Sequence, residues 1–176
     1  MADKIEKITI IGPGLIGSSL GLALKKNNMV KRIVGIDNSS SNLDNALKNG
    51  SIDLASNQIG ETISNSSIIF ICTPVSQINK IIHKVIPFTN KETIISDVGS
   101  VKNIFLKTTL NFIKKNCQFV PGHPIAGTEF SGAKNADSEL FKNKWCILTP
   151  KNKKDSIVKI IGNLWERLGM KISIMT

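Results

Sequence analysis

At 176 residues, 41% hydrophobic and 20% charged, the chain is long enough for one domain with a full core and ordinary in composition for a globular protein. Its net charge of +10 is carried by lysines scattered over predicted helix faces and loops, Arg32 and Arg167 being the only arginines, and no basic stripe is interleaved with aromatics, which argues against nucleic acid as a partner. No apolar run approaches the ~20 residues that span a bilayer, the N-terminus lacks signal-peptide architecture, and three cysteines without a CxxC pair (Cys72, Cys117, Cys146) with two distant histidines (His83, His123) offer neither a disulfide framework nor a metal set, so a cytoplasmic, metal-free protein is expected.

In chain order, apolar runs of strand length alternate with amphipathic segments. The strand candidates are KITIIG, RIVGID, SIIFICT, TIISDV, QFVPGH, WCILTP and KISIM, and helices are predicted over 15–28, 41–48, 75–87, 101–116 and 155–168. Short Ile- and Val-rich strands separated by helices are the pattern of a sheet buried on both faces. The fold class that follows is α/β, a doubly wound, mainly parallel sheet of Rossmann type, with residues 1–176 as a single dinucleotide-binding domain.

The first strand runs through Gly12-Pro13-Gly14-Leu15-Ile16-Gly17 into a helix. Gly12 permits the tight turn, Gly14 lets the backbone approach a pyrophosphate, and Gly17 lets helix and strand pack closely. Leu15 and Ile16 lie in the first helical turn, whose unpaired N–H groups and partial positive charge suit phosphates. The second strand ends in Asp37, 20 residues after Gly17, where a carboxylate hydrogen-bonds a ribose 2′-hydroxyl. That carboxylate repels a 2′-phosphate, and the following NSSSN has no arginine to bind one, so NAD is favoured over NADP.

In an open parallel sheet, ligands bind outside the carboxyl ends of the strands. Thr73-Pro74 follows the third apolar strand, Asp97 to Lys102 the fourth, and His123 the fifth. Thr73 and Pro74 are therefore expected along the cofactor, and Ser100, Lys102 and His123 on the rim near its reactive end. An imidazole titrating near neutrality suits removal of a hydroxyl proton as a hydride leaves. Ser100 is a candidate to hold His123 or the substrate hydroxyl, and equally an N-cap for the helix predicted from 101. His83, within INKIIHKVI, reads as a helix-surface residue.

Three stretches, IIGPGLIGSSLGLALK, SDVGSVK and FVPGHPIAGTEFSGAKNADSELFKNKWCILTP, resemble the nucleotide-binding domain of the prephenate/arogenate dehydrogenase family of tyrosine biosynthesis. The last stretch is long and specific. The resemblance implies that His123 is the base on the ring hydroxyl of prephenate or arogenate, with Ser100 as its hydrogen-bonding partner. It also implies a helical second half that forms a homodimer and supplies an arginine for the substrate carboxylate. Arg32 and Arg167 are both expected at the wrong edge of the sheet for that role, and Lys102 is the only basic residue placed near His123. Two other readings stay open: a β-hydroxyacid dehydrogenase or pyrroline carboxylate reductase type of enzyme, and an NAD-binding remnant or regulatory module without turnover.

Overall fold

The computed structural model describes residues 4–103, 105 and 107–175. Strand β1 (Ile5–Ile11) leads into α1 (Leu15–Lys26), β2 (Val30–Ile36), α2 (Ser40–Lys48), the short β3 (Leu54–Ser56) and β4 (Ile68–Ile71). There follow α3 (Ile78–Val85), β5 (Ile94–Asp97), α4 (Lys107–Asn116), β6 (Gln118–Pro124), β7 (Trp145–Leu148), α5 (Ser156–Arg167) and β8 (Lys171–Ile174). One sheet holds the eight strands in the order β3-β2-β1-β4-β5-β6-β7-β8. The first six are parallel, and β7 turns back antiparallel to β6 with β8 parallel to β7. The strand order reverses between β1 and β4, which opens a crevice at their carboxyl ends.

Alternation along each strand divides the core in two. Ile8 and Ile10 of β1, Ile68 and Phe70 of β4 and Val120 of β6 pack under α1, α2 and α5, where Leu20, Leu24, Leu43, Ile161 and Trp165 meet them. Ile11, Ile69, Ile71 and Ile95 face the other way, against Ile78, Ile82 and Val85 of α3 and Ile113 of α4. Both faces of the sheet are thus covered, which is why its strands read as continuous apolar runs. Trp165 centres the first layer, edge-on to Phe70 and Phe141 at 5.8 and 5.2 Å between ring centroids. Burial of side chains this large contributes a few kcal/mol each, by the usual ~25 cal/mol per Å² of apolar area.

The α/β, mainly parallel sheet predicted from the sequence is present, with four differences in detail. Strand β3 was not predicted, because three residues with two exposed side chains carry no alternation to read. The helix predicted over 75–87 is shorter, flanked by single 3-10 turns at Val75–Gln77 and Ile86–Phe88. The helix predicted from 101 begins at Lys107; residues 101–103 are not helical, and Ile104 and Leu106 lie outside the described residues. Finally, reversal of β7 and β8 carries the end of α5, with exposed Arg167, to the same end of the sheet as Pro124, since Trp145 pairs with Lys171 beside the Pro124–Cys146 register. Arg32, on the amino-terminal part of β2, stays at the far end as expected.

Among the described residues, no helix is long and apolar enough to cross a membrane, and no group of three or more His, Cys, Asp or Glu stands ready for a metal ion. Helix α1 sits unusually close to the chain at Ser51: a Cβ on Gly21 would lie 2.2 Å from the Ser51 carbonyl oxygen. Gly21→Ala is therefore expected to destabilise the protein by roughly 1–3 kcal/mol, as overpacking does, read as a lower midpoint in urea unfolding followed by circular dichroism.

Candidate functional site

At the crevice the glycine-rich turn takes the shape its sequence requires. Gly12 has φ +84°, open to glycine at little cost, and a Cβ there would come within 3.0 Å of the Cys72 backbone and 2.9 Å of the Thr73 methyl. A Cβ on Gly17 would stand 2.5 Å from the Gly12 carbonyl oxygen and 2.9 Å from Ile10, so α1 and β1 are as close as backbone allows. Gly14 differs: it caps α1, and a Cβ there would meet nothing within 4 Å. The space beside Gly14 is open, as a ligand's approach to the backbone needs. Leu15 and Ile16 pack partly against the core, leaving the first-turn N–H groups rather than their side chains to face a ligand. The Gly14 N–H bonds back to the Gly12 oxygen at 2.8 Å, and Ser18 Oγ donates to the Pro13 oxygen at 2.8 Å, which fixes the turn.

Asp37 follows the last residue of β2. One carboxylate oxygen accepts from the Ser39 N–H at 2.9 Å and the other from Asn42 Nδ2 at 3.2 Å. The side chain is held as an acceptor at the rim, with lone pairs left for a hydroxyl donor. A cavity of about 590 Å³ opens between these parts, lined in part by Gly12, Asp37, Thr73 and Pro74. Thr73 Oγ1 is buried and has no hydrogen-bond partner among the described residues, a polar atom awaiting one. Four of the predicted cofactor residues therefore converge on one cavity.

The same cavity has lining residues that the sequence reading did not single out. Ile59 and Ile81 give apolar walls, and Lys80 and Lys84 stand one turn apart on α3. Their signal was present: the buried residues Ile78, Ile82 and Val85 leave positions 80 and 84 on the open side of the helix. His83 is not part of the site. Its ring bonds Thr109 Oγ1 at 3.0 Å and stacks on Phe112, tying α3 to α4.

His123 lies on β6 one residue before its end, half-buried and in register with Ile147 of β7. Because β1, β4, β5 and β6 run parallel, it stands at the same end of the sheet as the glycine turn. Burial, and then the Lys102 ammonium, hold the imidazole below its ordinary pKa, with Asp97 opposing them. The ring is thereby kept as the neutral form that accepts a proton. No side chain among the described residues hydrogen-bonds either ring nitrogen. Ser100 is exposed in the loop after β5 and makes no hydrogen bond to His123 among the described residues, and with α4 starting at Lys107 it is no helix cap. Lys102 is not a loose cation either: its Nζ donates to Asp97 Oδ2 and to the Gly122 oxygen, both at 2.5 Å.

Comparison with known proteins agrees with this geometry. Residues 20–174 match the family described as "Prephenate dehydrogenase, nucleotide-binding domain". The chain is 38% identical over 159 residues to prephenate dehydrogenase of Bacillus subtilis (strain 168), covering 88% of this chain and 42% of the relative. It is 32% identical over 172 residues to cyclohexadienyl dehydrogenase of Zymomonas mobilis, covering 97% of this chain and 58% of that one. Among solved structures, prephenate dehydrogenase from A. aeolicus, in complex with hydroxyphenyl propionate and NAD+, superposes with a TM-score of 0.91 at 29% identity, covering all of this chain and 62% of the other. The chain thus spans about half the length of the curated relatives it matches. A glycine cradle that meets its own backbone, an acid fixed at the end of β2 and the match across most of the sequence lead to one assignment: the chain belongs to the prephenate dehydrogenase family, in the part that forms the nucleotide-binding domain.

Proposed function

We propose that the chain is the NAD-binding and proton-abstracting part of a dehydrogenase that converts prephenate to 4-hydroxyphenylpyruvate, or arogenate to tyrosine, by oxidative decarboxylation. The observation that carries this reading is a nucleotide cradle and a half-buried, depressed-pKa imidazole at the same end of one sheet. The residues present fit NAD. Gly14 and the first turn of α1 would receive the pyrophosphate, Asp37 the ribose hydroxyls, and Thr73 with Pro74 would lie along the cofactor, Thr73 Oγ1 gaining the partner it lacks.

Bound NAD supplies the hydride acceptor. The work of this chain is on the proton: a neutral His123 nitrogen takes it from the substrate's ring hydroxyl as the C–H bond gives up its hydride. The ketone that results sits where loss of carbon dioxide yields an aromatic ring. Ser100, exposed on the neighbouring loop, is free to turn toward the substrate hydroxyl or His123 once both are in place, since catalytic hydrogen bonds commonly tighten only with substrate bound. On this reading the substrate carboxylate is read by an arginine outside these residues, in a helical region that would also carry a dimer contact.

The deciding experiment is a pair of measurements on this chain, NAD affinity by calorimetry and NADH formation with prephenate at 340 nm. NADH is expected, slowly and only at high prephenate because the carboxylate-reading arginine lies outside these residues, with His123→Ala lowering kcat by about 10²–10⁴-fold while NAD affinity stays within a factor of two or so. NAD binding without NADH would instead assign the chain the cofactor half alone, and no NAD binding would sink the reading. Because the imidazole titrates below its ordinary value of about 6.5, the rate should rise with pH through an inflection below that value and stay flat above it until another group intervenes.

Asp37 gives a separate test of cofactor choice. Asp37→Ala removes a fixed acceptor and a negative charge, so NAD affinity should fall roughly tenfold. Affinity for NADP should rise at the same time, since Lys80 and Lys84 then face the cavity without an opposing carboxylate. Titration of both nucleotides against wild type and variant reads the two changes directly.

A further inference from the structure

Strand β5 ends before its neighbour does. The last β5–β6 register pair is Asp97 with Pro121, yet β6 continues through Gly122, His123 and Pro124. On the far side this extension is held by β7, where Gly122 pairs with Leu148 and His123 with Ile147. On the near side no strand remains to take the Gly122 peptide groups. Two side chains do so. Asp97 Oδ1 accepts from the Gly122 N–H at 3.3 Å, and Lys102 Nζ donates to the Gly122 oxygen at 2.5 Å. The two side chains are joined by their own 2.5 Å contact, and Asp97 Oδ2 also accepts from the Gly99 N–H at 2.9 Å.

The fit is tight. A Cβ on Gly99 would stand 3.0 Å from Asp97 Oδ2, and one on Gly122 3.0 Å from the Asp97 backbone oxygen. Asp97 is fully buried and the Lys102 side chain is 18% exposed. Burying such a pair is a poor way to gain stability, since well-packed apolar residues of similar volume commonly do as well or better. Its location gives it a use: the peptide it grips is the one directly before His123.

We propose that Asp97 and Lys102 are paired positioning residues for His123, closing the end of β6 where β5 stops and fixing a lysine ammonium on the peptide that precedes the imidazole. The inference rests on His123 being the base. The charged groups that bear on the ring are Lys102 and Asp97 from the β5 side; on β7, Cys146 is buried beside the end of β6, and burial pushes its pKa up to about 12. Cys146 therefore stays a neutral thiol, and the charges that matter are those of the pair. Lys102 outweighs Asp97 in its effect on the ring.

The test is an NMR pH titration of the two imidazoles, the only ones in the chain, with His83 as internal reference because it is held elsewhere between Thr109 and Phe112. In Lys102→Met the His123 pKa is expected to rise by roughly half a unit or more while His83 does not move. Lys102→Arg, which can grip both acceptors, should return it to the wild-type value. An unmoved His123 in folded Lys102→Met overturns the proposal, as does Lys102→Arg behaving like Met. Should Lys102→Met fail to fold, the double variant Asp97→Asn with Lys102→Met removes both buried charges. His123 should then still rise, by less, and an unmoved ring is again the overturning result. The titration needs neither substrate nor cofactor, so its failure is distinct from a failure of His123→Ala to lose activity, which would count against the proposed function instead.

Discussion

The close approach of α1 to β1 at Gly17 is the contact on which the nucleotide side of the molecule depends. With 2.5 Å between an imagined Cβ and the Gly12 oxygen, any other residue would push the helix away from the strand. The helix axis is therefore aimed by β1 itself, and its amino-terminus opens into the crevice where the strand order reverses. The positive end of the helix, the left-handed turn at Gly12 and the open space at Gly14 are three consequences of one contact. Asp37 enters the same crevice because β2 lies beside β1 in register, Ile11 opposite Ile36.

The side that carries His123 is built by the opposite device, an extension rather than an approach. Strand β6 outruns β5 and is kept in place by β7 returning antiparallel along it. The long connection from β6 to β7 does not hang free: the Asp137 N–H bonds Ser19 Oγ at 2.9 Å, and Asn49 Nδ2 bonds the Ala133 oxygen at 2.9 Å. The segment that leaves His123 is thus anchored on α1 and α2, the helices of the nucleotide half. The cradle and the imidazole sit on one framework rather than on two independent loops. Rigid elements hold a reacting geometry better than loops do.

Much of this was legible in the sequence, for identifiable reasons. The glycine turn and Asp37 are close-range features, fixed by spacing along a strand, a turn and a helix, and they appear where the spacing puts them. His123 at a strand end was equally readable, because apolar residues precede it and glycine and threonine follow. Strand direction was not: nothing in WCIL tells whether it runs with or against β6, and only packing decides that, which is why Arg167 was expected at the wrong end. The start of α4 was misjudged because Ser100 looks like a cap, whereas Asp97 and Lys102 hold the chain after β5 in another course. The role of Asp97 was hidden for a similar reason. A carboxylate at a strand end reads as a turn residue, and only three-dimensional register reveals that it completes the neighbouring strand.

That register also decides what Lys102 is able to do. From sequence it is the one cation placed near His123, and a point-charge ammonium is already a poor stand-in for an arginine's bidentate grip on a substrate carboxylate. In the fold two of its three ammonium donors are occupied, by Asp97 and by the Gly122 oxygen. Swinging it toward a substrate would strand Asp97 as a buried, unpaired carboxylate, a change that typically costs about 3–5 kcal/mol. A single ammonium–carboxylate hydrogen bond in a partly wet site returns about 1.5–3 kcal/mol, so Lys102 stays where it is. A lysine fixed in this way acts through its charge: it disfavours the imidazolium of His123, while Asp97 pulls the other way and favours it. The pair resists protonation of the ring without forbidding it, the balance that the proposed role of His123 as a base would need.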